Sequence, residues 1–275
     1  MELGIAGKTA VVTGGSKGIG NAIARNLASE GANLAICARR AGPLEEAAAD
    51  LEEEFGIECL PITADLTKRE DAAAFVKEAA EHFEGIDIFV NNAGSAPGGE
   101  LENLDEDDWY QALDLKLMGH VRGATEAMPY LVESGGNLVN LIGNDGSKPS
   151  PGELAPGAAN AADINMTLAL SKQYGRKGVR VNAVNPGPVA TERWDYLVEI
   201  MADEQELTFD EAMQVAENSI PLGRICTPEE VANVVAFLAS EPASFVNGAV
   251  VEVDGGQEKA LLEFDTIRAA SENLS

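Results

Sequence analysis

The hydrophobic positions fall into short apolar runs that alternate with longer amphipathic stretches. Short runs bounded by polar or glycine residues are typical of strands that are buried on both faces of a sheet. Seven strands are predicted, at Lys8–Thr13, Asn33–Ala38, Glu58–Thr63, Ile86–Asn91, Asn137–Ile142, Val179–Asn185 and Ala249–Val253. Helices are predicted between them at Gly20–Glu30, Lys68–Phe83, Glu106–Glu133 and Gly157–Lys177.

The alternation of strands and helices predicts the fold class. Strand–helix–strand units are right-handed, run their strands in parallel and cover both faces of the sheet with helices. No internal repeat, low-complexity tract or linker rich in proline and serine divides the chain. The sequence therefore predicts an α/β protein, with a single doubly wound domain of the Rossmann type over residues 1–275 and about seven parallel strands.

Two helix starts are well marked in the last third of the chain. Thr208 with Glu211, and Thr227 with Glu230, have the Thr-x-x-Glu spacing of a capping box. Residues 188–220 therefore form an insertion of about two helices after the sixth strand. We expect this insertion to be a substrate lid, because ligands of open α/β sheets bind outside the carboxyl ends of the strands. Packing alone would also account for its apolar residues.

The net charge of the chain narrows the classes of molecule that the protein is expected to bind. The 275 residues contain 19 Lys and Arg against 46 Asp and Glu, a formal net charge of -27. A field of this sign repels nucleic-acid phosphates and anionic lipid, so the sequence predicts no nucleic-acid partner and no membrane partner. Such acidity is found on ordinary solvated surfaces and in proteins adapted to high salt, and the sequence leaves both explanations open.

The cysteine and histidine content predicts no metal site. Three cysteines and two histidines lie too far apart for the ligand spacings of zinc sites. The amino terminus lacks the basic and apolar regions of a signal peptide, and no apolar run is long enough to span a membrane. Together with reduced thiols, these features predict a cytoplasmic protein.

A glycine-rich loop follows the first predicted strand and leads directly into a helix. Its sequence is Thr13-Gly14-Gly15-Ser16-Lys17-Gly18-Ile19-Gly20. Glycines let backbone N–H groups approach a pyrophosphate, whose charge is stabilised by the positive end of the helix dipole. The residues predicted to bind a dinucleotide here are Gly14, Ser16, Lys17, Gly18, Ile19 and Gly20.

Four further segments carry a family resemblance. They are Asp65-Leu66 after the third strand, Asn91-Asn92-Ala93-Gly94 at the end of the fourth, Pro186-Gly187-Pro188-Val189-Ala190-Thr191 after the sixth, and Asp254-Gly255-Gly256 after the last. With the glycine loop, they resemble the classical short-chain dehydrogenase/reductase family from Gly7 to Gly256. The resemblance implies that Asp65 and Leu66 lie at the adenine. It also places Asn92, Ala93 and Gly94 at the adenosine, and Pro186, Gly187, Val189 and Thr191 at the nicotinamide.

The end of the second strand indicates which nicotinamide cofactor binds. An acidic residue there would bind the 2′-hydroxyl of NAD, whereas this chain has Ala38 followed by Arg39 and Arg40. Guanidinium groups form charge-assisted hydrogen bonds with a 2′-phosphate, and Lys17 of the glycine loop can approach the same group. We therefore predict NADP(H), against the alternative that both arginines are merely solvated.

The resemblance fails at the catalytic tetrad. Reductases of the family use an Asn, a Ser, a Tyr that donates the proton, and a Lys that lowers the pKa of the Tyr and holds the nicotinamide ribose. Counting without gaps from the flanking motifs places these positions, in that order, on Lys116, Gly143, Pro156 and Asn160. No tyrosine lies between residues 130 and 174, so a small shift of register restores none. Proton transfer from the usual Tyr is excluded, and another group has to supply the acid.

Two of these changes are reciprocal. The family's Asn and Lys are exchanged between two helices, since Lys116 lies on the earlier helix and Asn160 on the later one. We infer that Lys116 brings an ammonium into the pocket from the opposite wall and that Asn160 hydrogen-bonds the ribose. Drift after a loss of function is the alternative. An ammonium on an otherwise apolar segment would be costly without a partner, which favours the functional interpretation.

Other candidates for the catalytic chemistry are polar residues near the same edge of the sheet. Asn144, after the fifth strand, is predicted to donate to an oxyanion, and Asp145 beside it to act as a base. Tyr196 in the expected lid and Asp163, one helical turn beyond Asn160, are further candidates. Each is also compatible with turn formation or packing.

Together, these features predict an NADP(H)-dependent oxidoreductase that acts on a small carbonyl or alcohol through a noncanonical site. Two alternatives remain open, namely non-redox chemistry with bound NADP, such as elimination, and a catalytically silent NADP(H)-binding protein. The resemblance also implies a homodimer or homotetramer, paired through the helices at Glu106–Glu133 and Gly157–Lys177. Small residues at the start of the second helix permit close approach.

Overall fold

Seven parallel strands form one sheet in the computed structural model, which describes residues 2–258. The strands are β1 (Thr9–Thr13), β2 (Asn33–Ala38), β3 (Cys59–Thr63), β4 (Ile88–Asn91), β5 (Asn137–Leu141), β6 (Arg180–Pro186) and β7 (Val250–Val253). Their order in the sheet is β3-β2-β1-β4-β5-β6-β7. The predicted fold class is confirmed. Residue 1 and residues 259–275 of the predicted domain lie outside the described residues.

Every predicted helix is present, with ends that differ by a few residues, and the structure adds a helix at Ala41–Phe55 that the sequence did not predict. They are α1 (Gly18–Ser29), α2 (Ala41–Phe55), α3 (Arg69–His82), α4 (Glu106–Ala112), α5 (Gly119–Ser134), α6 (Leu154–Tyr174), α7 (Glu192–Gln205), α8 (Phe209–Asn218) and α9 (Pro228–Ala239). The single helix predicted at Glu106–Glu133 needs one correction. A π-helical segment, Leu113–Met118, joins α4 to α5.

Helices cover both faces of the sheet. On one face, α1, α2 and α9 bury a core that includes Leu27, Leu51 and Val235 against β1 and β2. On the other, α3 and α5 bury Phe75 and Leu131 against β4 and β5. Burial of each such side chain contributes about 1.5–3 kcal/mol, so the two cores fix the sheet firmly.

Residues 188–220 fold as the predicted pair of helices. Thr208 caps α8 and Thr227 caps α9, each in a capping box with the glutamate three residues later. α7 and α8 enclose a small apolar core of their own, built around Trp194, Val198 and Val215. The insertion is therefore a compact helical unit at the carboxyl edge of the sheet.

The sheet topology brings the predicted segments together. The chain proceeds from β1 outward to β3, then returns to place β4 on the other side of β1. A crevice opens where the strand order reverses, outside the carboxyl ends of β1 and β4. The glycine loop and Asn92–Gly94 both lie at this crevice, because each directly follows one of these two strands.

Candidate active site

The glycine loop between β1 and α1 has a conformation that larger residues would disrupt. Gly14 and Gly18 have positive φ values of 70° and 58°. A Cβ on Gly20 would lie 2.2 Å from the carbonyl oxygen of Gly14 and 2.4 Å from Asn92 Nδ2. The loop therefore forms a close backbone cradle that ends at the amino terminus of α1, which suits a pyrophosphate.

The end of β4 is fastened to this cradle by hydrogen bonds. Thr13 Oγ1 accepts from the backbone N–H of Asn92 at 2.8 Å and from that of Ala93 at 3.0 Å. Asn92 Nδ2 in turn donates to the carbonyl oxygen of Thr13 at 2.8 Å. The two segments that the resemblance assigns to the dinucleotide thus form one unit.

Asp65 and the two arginines lie at the carboxyl ends of β3 and β2. Partial burial opposes ionisation of Asp65, but hydrogen bonds from Thr67 and the charges of Lys68 and Arg39 hold its pKa below the ordinary value. Arg39 and Arg40 are exposed. Cationic and hydrogen-bonding groups therefore surround the predicted adenosine end.

Lys17 of the glycine loop contacts the insertion. Its Nζ lies 2.5 Å from Glu192 Oε2, at the start of α7. This hydrogen bond lowers the pKa of Glu192. The expected contact of Lys17 with a 2′-phosphate stays a prediction, and it requires release from Glu192.

A cavity of about 240 Å³ continues from the cradle along the carboxyl ends of β4, β5 and β6. It brings together residues predicted at the cofactor, namely Ile19, Asn92, Gly94, Pro186, Gly187, Val189 and Thr191. All four positions that the resemblance aligns with the tetrad also line it, at Lys116, Gly143, Pro156 and Asn160. None of these four side chains carries a hydroxyl.

Lys116 and Asn160 contact each other at this cavity. Lys116 Nζ donates to Asn160 Oδ1 at 3.0 Å, and Asn160 Nδ2 donates to Asp145 Oδ1 at 2.6 Å. Burial lowers the pKa of Lys116, the charge of Arg193 adds to this effect, and the carboxylates of Asp145, Glu153 and Asp163 oppose it. The amide of Asn160 thus links a cation to an anion.

The absence of a side chain at Gly143 leaves room for the hydrogen bond between Asn160 and Asp145. A Cβ on Gly143 would lie 2.6 Å from Asn160 Nδ2 and 2.7 Å from Asp145 Oδ1. A serine at this position would therefore have to displace the hydrogen bond between Asn160 and Asp145. The position of the Asn160 side chain therefore depends on glycine at position 143.

A second contact, between α5 and α6, lies about one helical turn from the contact between Lys116 and Asn160. His120, four residues after Lys116, lies with its Nδ1 at 2.7 Å from Oδ2 of Asp163, three residues after Asn160. Both side chains are almost fully buried, and neither has a well-aligned hydrogen-bond partner among residues 2–258. His120 lines the cavity as well.

Two charged residues of the cavity were missed by the sequence analysis. Glu153, the residue before α6, is half-buried. Burial and the charge of Asp145 raise its pKa to about 7, against the opposing charges of Lys116 and Arg193. Arg193 of α7 donates to Ser95 Oγ at 3.0 Å and to the carbonyl oxygen of Ala96 at 3.2 Å. The insertion is therefore tied to the loop after β4.

The sequence held signals for both His120 and Glu153. His120 is four residues beyond Lys116, the spacing that keeps two side chains on one helix face. Glu153 precedes Pro156 by three residues, which also puts both on one side of the helix start. Neither signal distinguishes a cavity residue from a surface residue without the structure.

Two predicted catalytic residues need correction. Tyr196 is 60% exposed and does not line the cavity, because it lies two residues from Trp194 and so on nearly the opposite face of α7. Asn144 does line the cavity, but its Nδ2 donates to Gln257 Oε1 at 2.7 Å. That amide therefore fastens the end of the described chain, and the structure gives no support to its role as an oxyanion donor.

Comparison with known proteins decides the family. A family profile described as enoyl-(acyl carrier protein) reductase matches residues 14–258. The 3-oxoacyl-(acyl-carrier-protein) reductase of Chlamydia muridarum is 34% identical over 251 residues, which is 90% of this chain and 96% of that protein. The chain belongs to the classical short-chain dehydrogenase/reductase family. The corresponding reductase of Staphylococcus aureus is 34% identical over 252 residues, covering 90% of this chain and 97% of that protein.

Solved structures agree with this assignment. L-sorbose reductase from Gluconobacter frateurii, complexed with NADPH and L-sorbose, has a TM-score of 0.89 and 33% identity, covering 95% of this chain and 100% of that one. A variant of actinorhodin polyketide ketoreductase with NADPH has a TM-score of 0.88 and 31% identity, covering 92% and 97%. Within residues 2–258, no helix is long and apolar enough to cross a membrane.

Proposed function

We propose that this protein is an NADPH-dependent reductase of a small carbonyl compound, with a noncanonical proton-transfer site. The observation that carries the proposal is the cavity itself. It joins the glycine cradle to Lys116, Gly143, Pro156 and Asn160, and among these four only Lys116 carries a proton that ionises. The relatives named above are reductases, which favours redox chemistry over elimination or a silent binding protein.

The chain's residues fit the cofactor. The conformation of the cradle requires glycine, since a Cβ on Gly20 would collide with the carbonyl oxygen of Gly14. A loop of this kind at a helix amino terminus suits a pyrophosphate. Arg39 and Arg40 would bind a 2′-phosphate, and two structural neighbours contain NADPH. When bound, NADPH supplies a hydride to the carbonyl carbon.

The protein's own groups then do three things. Lys116 would carry positive charge to the ribose and to the substrate oxygen, and Asn160 holds its ammonium in place. The insertion at 188–220 would exclude water as a lid, because Arg193, Trp194 and Leu197 of α7 line the cavity. Exclusion of water strengthens each electrostatic contact inside.

The test combines binding with turnover. NADPH binding is measured by calorimetry, and its oxidation is followed with L-sorbose, a 3-oxoacyl thioester and a simple ketone. We expect NADPH to bind and at least one carbonyl to be reduced. Gly20→Ala should abolish binding, whereas Gly42→Ala, whose Cβ meets no atom within 4 Å, should not. Binding without reduction of any of these carbonyls would overturn the proposed activity.

A further inference from the structure

We propose that Glu153 is the proton donor of this site, an inference that rests on the proposed reductase function. None of the four tetrad positions supplies the usual tyrosine acid, and this assignment gives the proton-transfer step to Glu153.

Five ionisable side chains line the cavity, and four of them are engaged. They are Lys116, His120, Asp145, Glu153 and Arg193. Lys116 and Asp145 both bond to Asn160, His120 lies against Asp163, and Arg193 holds Ser95 and Ala96. Of these five side chains, only Glu153 makes no hydrogen bond or ion pair with another side chain of residues 2–258. It is the group left free to meet a ligand.

Glu153 is held beside the position that the resemblance aligns with the family's tyrosine. It directly precedes α6, one helical turn before Pro156. Its backbone forms a bridge with Gly99, and a Cβ on Gly98 would lie 3.1 Å from Glu153 Oε2. The carboxyl therefore lies between α6 and the loop after β4, the two elements that flank the cavity.

The surroundings keep this carboxyl protonated at a useful pH. Burial and the charge of Asp145 raise its pKa to about 7, against the opposing charges of Lys116 and Arg193. A general acid works best when its pKa lies near the working pH. Asp145 is engaged separately, since its Oδ1 accepts a hydrogen bond from Asn160 Nδ2 at 2.6 Å.

The step balances in electrons and protons. The hydride that the cofactor supplies forms the new C–H bond at the carbonyl carbon. The O–H bond of Glu153 breaks, its proton forms the O–H bond of the product alcohol, and its electron pair remains on the carboxylate. Lys116 and Arg193 stabilise that carboxylate, which regains a proton from solvent.

The first test needs no activity. Carboxyl carbons of ¹³C-labelled glutamate are titrated by NMR in the protein without cofactor. We expect one resonance with a midpoint near about 7 that is missing in Glu153→Gln and retained in Glu102→Gln, an exposed control. Absence of any glutamate titrating near that pH in the parent protein would overturn the proposal.

The second test separates this inference from the proposed function. Glu153→Gln should bind NADPH like the parent, lose about 100-fold or more in kcat, and lose the decline of kcat above about pH 7. Glu153→Asp should retain part of the activity with a shifted pH profile. If Glu153→Gln reduces the substrate like the parent, Glu153 is not the donor and the reductase function stands. If the parent binds NADPH but reduces no carbonyl, both are wrong.

Discussion

The amide oxygen of Asn160 accepts a hydrogen bond from the ammonium of Lys116 over 3.0 Å. The contact joins α6 to the π-helical segment, and it gives the half-buried ammonium a hydrogen-bond partner. The ammonium of the site is therefore carried by the π-helical segment, whereas the family resemblance implies a lysine on α6.

Removing this ammonium tests whether the exchange is functional. Lys116→Ala should weaken NADPH binding or abolish turnover, with a loss of about 1.5–3 kcal/mol typical of a hydrogen bond to a charged group. Asn160→Ala should do less. The double variant Lys116→Asn with Asn160→Lys should bind NADPH without ordinary reductase activity, because Gly143 and Pro156 offer no hydroxyl. Parent-like calorimetry and kinetics for Lys116→Ala would instead indicate drift.

Gly143 should tolerate a side chain only when Asn160 is shortened. Gly143→Ser should lower the free energy of unfolding by about 1–3 kcal/mol, since its Cβ would lie 2.6 Å from Asn160 Nδ2. The loss should shrink in an Asn160→Ala background. Urea denaturation of the four proteins measures the coupling, and equal losses in both backgrounds would contradict the steric explanation.

Cofactor preference should depend on Arg39. Calorimetry should show tighter binding of NADPH than of NADH, and Arg39→Asp should erase the difference by repelling the 2′-phosphate. Arg69→Asp, a matched charge change at the start of α3, should preserve it. Equal affinities of the parent for the two cofactors would refute the assignment.

Stability should depend on pH through Glu153. Its pKa is raised by burial to about 7 in the folded protein, whereas an unfolded glutamate titrates near about 4. The folded state therefore holds this proton more strongly, and its stabilising effect is complete below about pH 4 and lost as the pH rises through about 7. In urea denaturation, Glu153→Gln should gain on the order of 1–3 kcal/mol relative to the parent between about pH 4 and about pH 8. Glu102→Gln should show no such trend.

Light scattering should show a dimer or tetramer. Tyr110 of α4, Met118 of the π-helical segment and Leu168 of α6 are exposed apolar side chains on the helices that the resemblance pairs. Their burial between subunits would remove apolar surface from water. Raised salt should favour association, because it screens the repulsion of a chain at -27. A monomer at micromolar concentration and raised salt would refute the prediction.

The sequence predicted the sheet well, because strands buried on both faces leave uninterrupted apolar runs. It did not predict α2, whose first turn contains Gly42 and Pro43, residues that otherwise mark turns. The π-helical segment was also missed, because such segments are rare and an unbroken helical stretch favours a single α-helix.

Within the site, the sequence identified Lys116 and Asn160 but not Glu153. The pair could be found because both residues replace others in a known pattern. Glu153 is one of 46 acidic residues, and only its burial beside Asp145 separates it from a solvated glutamate. The exposed position of Tyr196, outside the cavity, could not be predicted for a related reason, since which face of α7 is covered depends on how α8 packs against it.

The insertion has an apolar core of its own, shared by α7 and α8. Trp194 Nε1 donates to Met213 Sδ at 3.5 Å, and Val198 and Val215 are buried between the two helices. This core is separate from the two cores that cover the sheet, so the packing of the sheet does not depend on it. On the proposed lid function, we expect substrate preference to change through a few residues of the insertion while the packing of the sheet is retained.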